Sequence, residues 1–191
     1  MSTITAEPLE IVLYPDPFLL KPCRAITSGE LNSGKAAGWD LAELVERMKA
    51  TMYAAEGIGL AAPQVGVGLR VFLVDISKDR SGCMALLNPV LSNLDGALVE
   101  EEGCLSIPRV RAKVKRFASL HVSAVSVKGE PIEFDATDLL ARVCQHENDH
   151  LNGILFINKL GMASRVMLRR ALNELEEDYE LAQAKKKRKK G

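Results

Sequence analysis

The 191-residue chain lacks the features that mark a protein for the membrane, for secretion or for disorder. No apolar stretch approaches the roughly 18 residues that a membrane span requires. The first twenty residues hold no Lys or Arg, so the basic start of a secretory signal is missing and a cytoplasmic protein is expected, bacterial in type, with an organellar origin left open. Excess charge is absent too: 25 basic residues meet 25 acidic ones, and with 47% apolar residues this excludes an intrinsically disordered chain. Cys23, Cys83, Cys104 and Cys144 form no C-x-x-C pair. Four scattered cysteines in a chain of this length exclude a disulfide-stapled mini-protein, and each is expected as a free thiol, buried or ligating. No internal repeat or Pro/Gly/Ser-rich linker divides the sequence. One domain over residues 1–184 is therefore expected, followed by a basic, disordered tail over 185–191. Removing the six basic residues from Lys185 to Lys190 leaves 19 basic against 25 acidic, so the body is acidic.

Periodicity supplies the elements. Asp40 and Glu43 form a capping pair ahead of Leu41, Leu44, Val45, Met48 and Met52, which recur at helical spacing until Gly57. The loop Gly57-Ile58-Gly59-Leu60-Ala61-Ala62-Pro63-Gln64-Val65-Gly66 that follows is too rich in Gly and Pro for a regular element and too apolar for an open surface, so it is expected to be buried. From Leu69 to about Phe134, β-favouring runs dominate: Leu69–Ile76, Met84–Leu91, Val110–Phe117, Leu120–Val127 and Ile132–Phe134. Thr137–Asn152 reads as a second helix closed by Gly153. Ser164 to about Ala184 reads as a third, with Leu168, Ala171, Leu172, Leu175, Tyr179 and Ala182 on one face. The fold class is α+β, with antiparallel sheets.

Chemistry concentrates on the second helix, in His146-Glu147-Asn148-Asp149-His150. Residues four apart share a face about 6 Å apart along the axis, so both imidazoles can reach one metal ion, while Glu147 can take a proton from a water there. Two of only three histidines fall in this pattern. Leu139 and Val143 continue the same stripe, which makes the ligand face the expected buried face. A solvated polar face is the alternative, but two buried imidazoles would then need separate hydrogen-bond partners. A catalytic centre needs a third ligand. His121 sits in a strand run, and Cys144 lies about 200° round the helix from His146, facing away. Cys23, Cys83 and Cys104 remain, with carboxylates such as Glu174.

Three segments in order, Gly57-Ile58-Gly59-Leu60-Ala61-Ala62-Pro63-Gln64, Glu102-Gly103-Cys104-Leu105-Ser106 and Gln145-His146-Glu147-Asn148-Asp149-His150, resemble the motifs of the peptide deformylases. Tyr14-Pro15-Asp16-Pro17 is similar to the family's start. The resemblance implies antiparallel sheets around a central metal-binding helix, with a C-terminal helix. It implies that Cys104, His146 and His150 bind one divalent metal, Fe²⁺ before Zn²⁺, Ni²⁺ or Co²⁺, and that Glu147 is the general acid and base. Gln64 and the backbone N–H of Leu105 would meet the formyl oxygen. Gly57, Ile58, Gly59, Gly103, Leu139 and Val143 would contact the substrate, with Gly57 and Gly59 letting the backbone approach it closely. Asp149 or Glu102 would orient an imidazole, though Glu102 could equally pair with Arg116. The implied reaction removes the N-formyl group from the N-terminal methionine of nascent polypeptides, releasing formate. The ribosome is a further expected partner through the C-terminal helix and tail, with no membrane and no sequence-specific nucleic acid.

Two rivals predict different residues. A zinc endopeptidase would complete the His pair with Glu174 and leave Gln64 and Cys104 without roles. A ribosome- or RNA-binding protein with a structural metal would use the terminal basic run, yet the body offers no aromatic-basic stripe to support it.

Overall fold

The computed structural model describes residues 6–188. A short helix α1 (Ser28–Ser33) and a minimal hairpin of β1 (Lys35–Ala36) and β2 (Trp39–Asp40) lead into α2 (Leu41–Ala54). Strands β3 (Gly59–Ala61), β4 (Val71–Val74), β5 (Met84–Asp95), β6 (Leu98–Cys104), β7 (Ile107–Arg116), β8 (Ser119–Val125) and β9 (Pro131–Thr137) follow. The chain ends in α3 (Asp138–Leu151) and α4 (Met162–Arg188).

Asp40 caps α2 as its position before the apolar run predicts, its carboxylate accepting the N–H groups of Ala42 and Glu43 at 3.0 Å. Residues 27–39, which carry no periodic signal, are held by a reciprocal cap. Thr27 accepts the Glu30 N–H at 3.2 Å, and Glu30 accepts the Thr27 N–H at 2.9 Å.

Five strands form an antiparallel sheet in the order β3-β4-β5-β8-β9, and β6 pairs with β7 as a separate ribbon. In β4 all four residues are buried because both faces of the sheet are covered. Val71 and Leu73 pack with Leu44, Met48 and Met52 of α2, while Phe72 and Val74 pack with Ala141, Val143 and Cys144 of α3. Each such large side chain, fully buried, contributes about 1.5–3 kcal/mol. A third cluster joins Ile107, Val110 and Val114 of β7 to Leu155, Phe156 and Leu175, while α3, packed on the sheet, reaches the ribbon through His146–Glu102 and Asp149–Arg116. The expected arrangement, antiparallel sheets around a central helix, is what the chain adopts.

Three expectations need correction. The glycine loop is not irregular throughout: Gly59–Ala61 is β3, an edge strand paired with β4, and Ala62–Val65 is a 3-10 turn. Strand β6 escaped detection because Glu100, Glu101 and Glu102 interrupt it. Val99, Glu100 and Glu101 in succession are exposed and only Glu102 is buried, so no alternation marks it. The C-terminal helix begins two residues early and runs through Arg188, so Lys185 to Arg188 are helical rather than a disordered tail. The remainder of the expected tail lies outside the described residues, among which no helix is long and apolar enough to cross a membrane.

Candidate metal centre and cleft

Helix α3 carries His146 and His150 on one face, with ring centroids 5.0 Å apart. Cys104 arrives from the end of β6, where the pairing with β7 shifts register between Gly103 and Cys104. Such a shift bends a strand and re-aims its next side chain. One ligand atom from each of Cys104, His146 and His150 lies within 4.8 Å of the others. The Cys104 Sγ stands 3.2 Å from His150 Nε2.

A buried ionic network fixes the other side of the centre. Glu102 Oε2 lies 3.0 Å from His146 Nδ1, leaving Nε2 to face the centre. Arg116 donates to both Glu102 oxygens, at 2.9 and 3.0 Å, and also to Asp149. Lys159 Nζ completes the chain 3.1 Å from Asp149 Oδ1. Both alternatives for Glu102 therefore hold together: it orients an imidazole and it pairs with Arg116. Asp149 acts on Arg116, not on a ring. Phe156 stacks on His146 with centroids 6.2 Å apart.

Burial alone would raise the Glu102 carboxyl, but the hydrogen bonds of His146 and Arg116 outweigh it and hold the pKa at about 2. A depressed folded value means that its stabilisation is present above the unfolded carboxylate range and is lost as pH falls through the folded value. Glu102→Gln is therefore expected to cost about 3–5 kcal/mol at neutral pH, because it leaves Arg116 buried with one partner short. The deficit should shrink as pH falls toward the folded pKa of about 2. Urea denaturation across an acid pH series measures both, and a constant deficit would contradict the assignment.

Glu147 behaves oppositely. It is almost fully buried, burial raises its pKa to about 7 despite the neighbouring His146, and its Oε2 has no hydrogen-bond partner among the described residues. Burial and the nearby His146 hold the His150 pKa well below its ordinary value, which keeps that ring neutral and able to donate a lone pair. Burial also disfavours a charged His146, but Cys104 and Glu102 outweigh it and raise that pKa to about 10. A metal ion bound at this ring would take the place of such a proton. The donor set of one sulfur and two ring nitrogens, one ring already oriented, fits a borderline-soft divalent ion.

Gln64 is buried in the 3-10 turn after β3. Its Oε1 accepts the Ala61 N–H at 2.8 Å, which turns its amide NH₂ toward Ser106 Oγ at 3.2 Å and Cys104 Sγ at 3.4 Å. The glycines nearby admit side chains of the site itself. A Cβ on Gly59 would stand 2.8 Å from Val143 Cγ1 and 2.9 Å from Glu147 Cδ, and one on Gly57 would stand 2.8 Å from Leu105 Cδ1.

Above the centre opens a cleft of about 560 Å³. It is lined by Gly57, Ile58, Gly59, Gln64, Gly103, Cys104, Leu105, Leu139, Val143, His146 and Glu147, while His150 lies behind. The buried stripe ends sooner than the sequence implied: Val143 is buried, but Leu139 is 38% exposed at the mouth, opposite Ile58 at 43%. Periodicity gave no hint of Ser106 behind Gln64, of Phe156 on His146, or of Arg109, Arg111 and Arg142, which also line the cleft.

The rival ligands are elsewhere. His121 pairs with Asp135 at 2.7 Å across β8 and β9. Glu174 is bonded to Arg170 on the exposed side of α4. Cys144 is fully buried in the core beneath α3. The endopeptidase set is not assembled.

A cysteine and two histidines converging beside a buried glutamate at the floor of an open cleft define a metallo-hydrolase. A sequence model of the polypeptide deformylase family matches residues 8–166, and the chain belongs to that family. The peptide deformylase of Thermodesulfovibrio yellowstonii is 43% identical over 164 residues, covering 85% of this chain and 94% of the relative. That of Hydrogenovibrio crunogenus is 46% identical over 157 residues, covering 82% and 88%. Among solved structures, the Legionella pneumophila peptide deformylase superposes with a TM-score of 0.79 at 36% identity, covering 93% of this chain and 98% of that one. Arabidopsis thaliana peptide deformylase 1B reaches 0.82 at 32% identity, covering 92% and 94%. The family removes the N-formyl group from the N-terminal methionine of nascent polypeptides.

Proposed function

We propose that Cys104, His146 and His150 hold a divalent ion, Fe²⁺ in the native protein, and that Glu147 is the general acid and base of deformylation. The observation that carries this reading is the convergence of three donor atoms within 4.8 Å beside a buried carboxylate whose Oε2 is unpartnered among the described residues. When bound, the ion supplies a Lewis acid and lowers the pKa of water in its site. A sulfur-bearing donor set also suits Zn²⁺, Co²⁺ and Ni²⁺, whereas Fe²⁺, which can lose an electron, makes the native enzyme sensitive to oxidation.

The methionine side chain lies against Ile58, Leu139 and Val143, and the backbone of the substrate runs along Gly57–Gly59 and Gly103. The formyl oxygen faces the Gln64 amide and the Leu105 N–H, two donors set before charge develops. Glu147, with a pKa of about 7, takes the proton of the attacking water and returns it to the departing amine. The Cys104 sulfur and Ser106 hydroxyl keep the Gln64 NH₂ directed into the site.

Gln64→Ala is expected to leave metal content unchanged and to lower turnover by about 10²–10³, the value of one preorganised donor. Parallel metal analysis and single-turnover kinetics check it. Unchanged turnover would reduce Gln64 to a packing residue.

The reading as a whole is tested by incubating anaerobically purified protein with a formyl-Met peptide and its acetyl-Met counterpart. Formate from the first and nothing from the second is the expected result. No formate, or equal release of formate and acetate, overturns it. The enzyme works in the cytoplasm, which its four free cysteines suit. It meets its substrate near the ribosome through α4, whose exposed Arg169 and Lys185 can engage phosphate.

A further inference from the structure

We propose that Arg142 makes the enzyme favour formylated chains whose second residue, directly after methionine, carries a carboxylate. This rests on reading the cleft as the formyl-methionine site and adds the charge that the site selects next to it.

Leu139, Arg142, Val143 and His146 follow one another at helical spacing on α3, and all four line the cleft. Leu139 is exposed at the mouth and His146 is buried at the floor, so this face runs from solvent to the reacting centre with half-buried Arg142 between. Arg142 stands between Val143 and Leu139, the wall given to methionine, and its side chain is long enough to pass that wall and meet the residue that follows methionine.

The other two arginines of the cleft are already committed. Arg109 pairs with Asp178 at 3.1 Å, and Arg111 pairs with Glu101 at 3.5 Å. Arg142 has no ion pair or hydrogen bond among the described residues. Its stem can follow the apolar wall while the guanidinium keeps its fork of donors for a carboxylate. Glu56, exposed at the facing lip beside Gly57, is the one lining acid outside the centre without an ion pair among the described residues, and it would favour a lysine instead.

The experiment compares kcat/KM of the metal-loaded enzyme on three peptides, formyl-Met-Glu, formyl-Met-Gln and formyl-Met-Lys, with identical remainders. Wild type, Arg142→Gln, Arg142→Lys, Arg111→Gln and Glu56→Gln are measured at low and high salt. The Glu peptide should exceed the Lys peptide by about two- to fivefold in the wild type, the range of a solvent-accessible ion pair. That ratio should fall to about one in Arg142→Gln, return in Arg142→Lys, persist in Arg111→Gln and shrink as salt screens it. A ratio untouched by Arg142→Gln overturns the proposal, as does a Lys preference that disappears in Glu56→Gln. Equal hydrolysis of all three peptides by wild type overturns the role of Arg142 alone. Formate from none of them overturns the reading of the cleft and this proposal with it.

Discussion

Glu147→Gln should retain its metal and lose activity by about 10³ or more, because the ligands stay intact while the proton transfer disappears. The same substitution should stabilise the metal-free protein. Burial raises the Glu147 carboxyl to about 7, so over the window between the ordinary glutamate range and that value the folded state holds a proton that the unfolded state has released. Stability from this group is present at acid pH and is lost as pH rises through the window, on the order of 3 kcal/mol. A neutral glutamine escapes that loss. The two readouts must move in opposite directions: turnover collapses while metal-free denaturation at slightly alkaline pH shifts to higher urea. Loss of metal in step with activity would instead make Glu147 a ligand.

Cys104→Ala should abolish stoichiometric metal binding, since two imidazoles without the thiolate lose a charged donor and the third corner of the site. Cys144→Ser and Glu174→Ala should both keep their metal. Cys144 faces the core, and Glu174 is bonded to Arg170 at the surface. Metal analysis after gel filtration, with iron and zinc loaded in separate anaerobic samples, ranks the three variants. Metal retained in Cys104→Ala but lost from Glu174→Ala would restore the endopeptidase arrangement.

How much of this was legible beforehand follows from which forces leave a periodic trace. Helices α2 and α3 bury one face, so their stripes are written in the sequence, as is the Asp40 cap of α2. The spacing of His146 and His150 is likewise a property of one helix. Cys104 joins them only through the long-range pairing of β6 with β7, and no local pattern encodes that; resemblance to a family supplied it. Strand β6 stayed hidden because its acids face water and one of them, Glu102, turns inward to serve Arg116 and His146. Gly59 was expected to let a substrate approach, and the structure shows a different demand on it, since the space it leaves is occupied by Glu147. Leu139 continued the stripe arithmetically, but in the first turn of α3 the core takes Ala141 on another side and leaves Leu139 to the mouth of the cleft.

The segment before α1 also touches the site from behind. Val12 N–H bonds the Gln64 carbonyl and Tyr14 N–H bonds the Ser106 carbonyl, each at 2.8 Å. The Tyr14 hydroxyl reaches Glu176 at 2.5 Å, and the Tyr179 hydroxyl reaches Asp16 at 3.0 Å. Two hydroxyls on opposite sides thus strap α4 to the segment that backs Gln64 and Ser106, so a change in α4, far from every ligand in the sequence, can loosen the rear of the cleft.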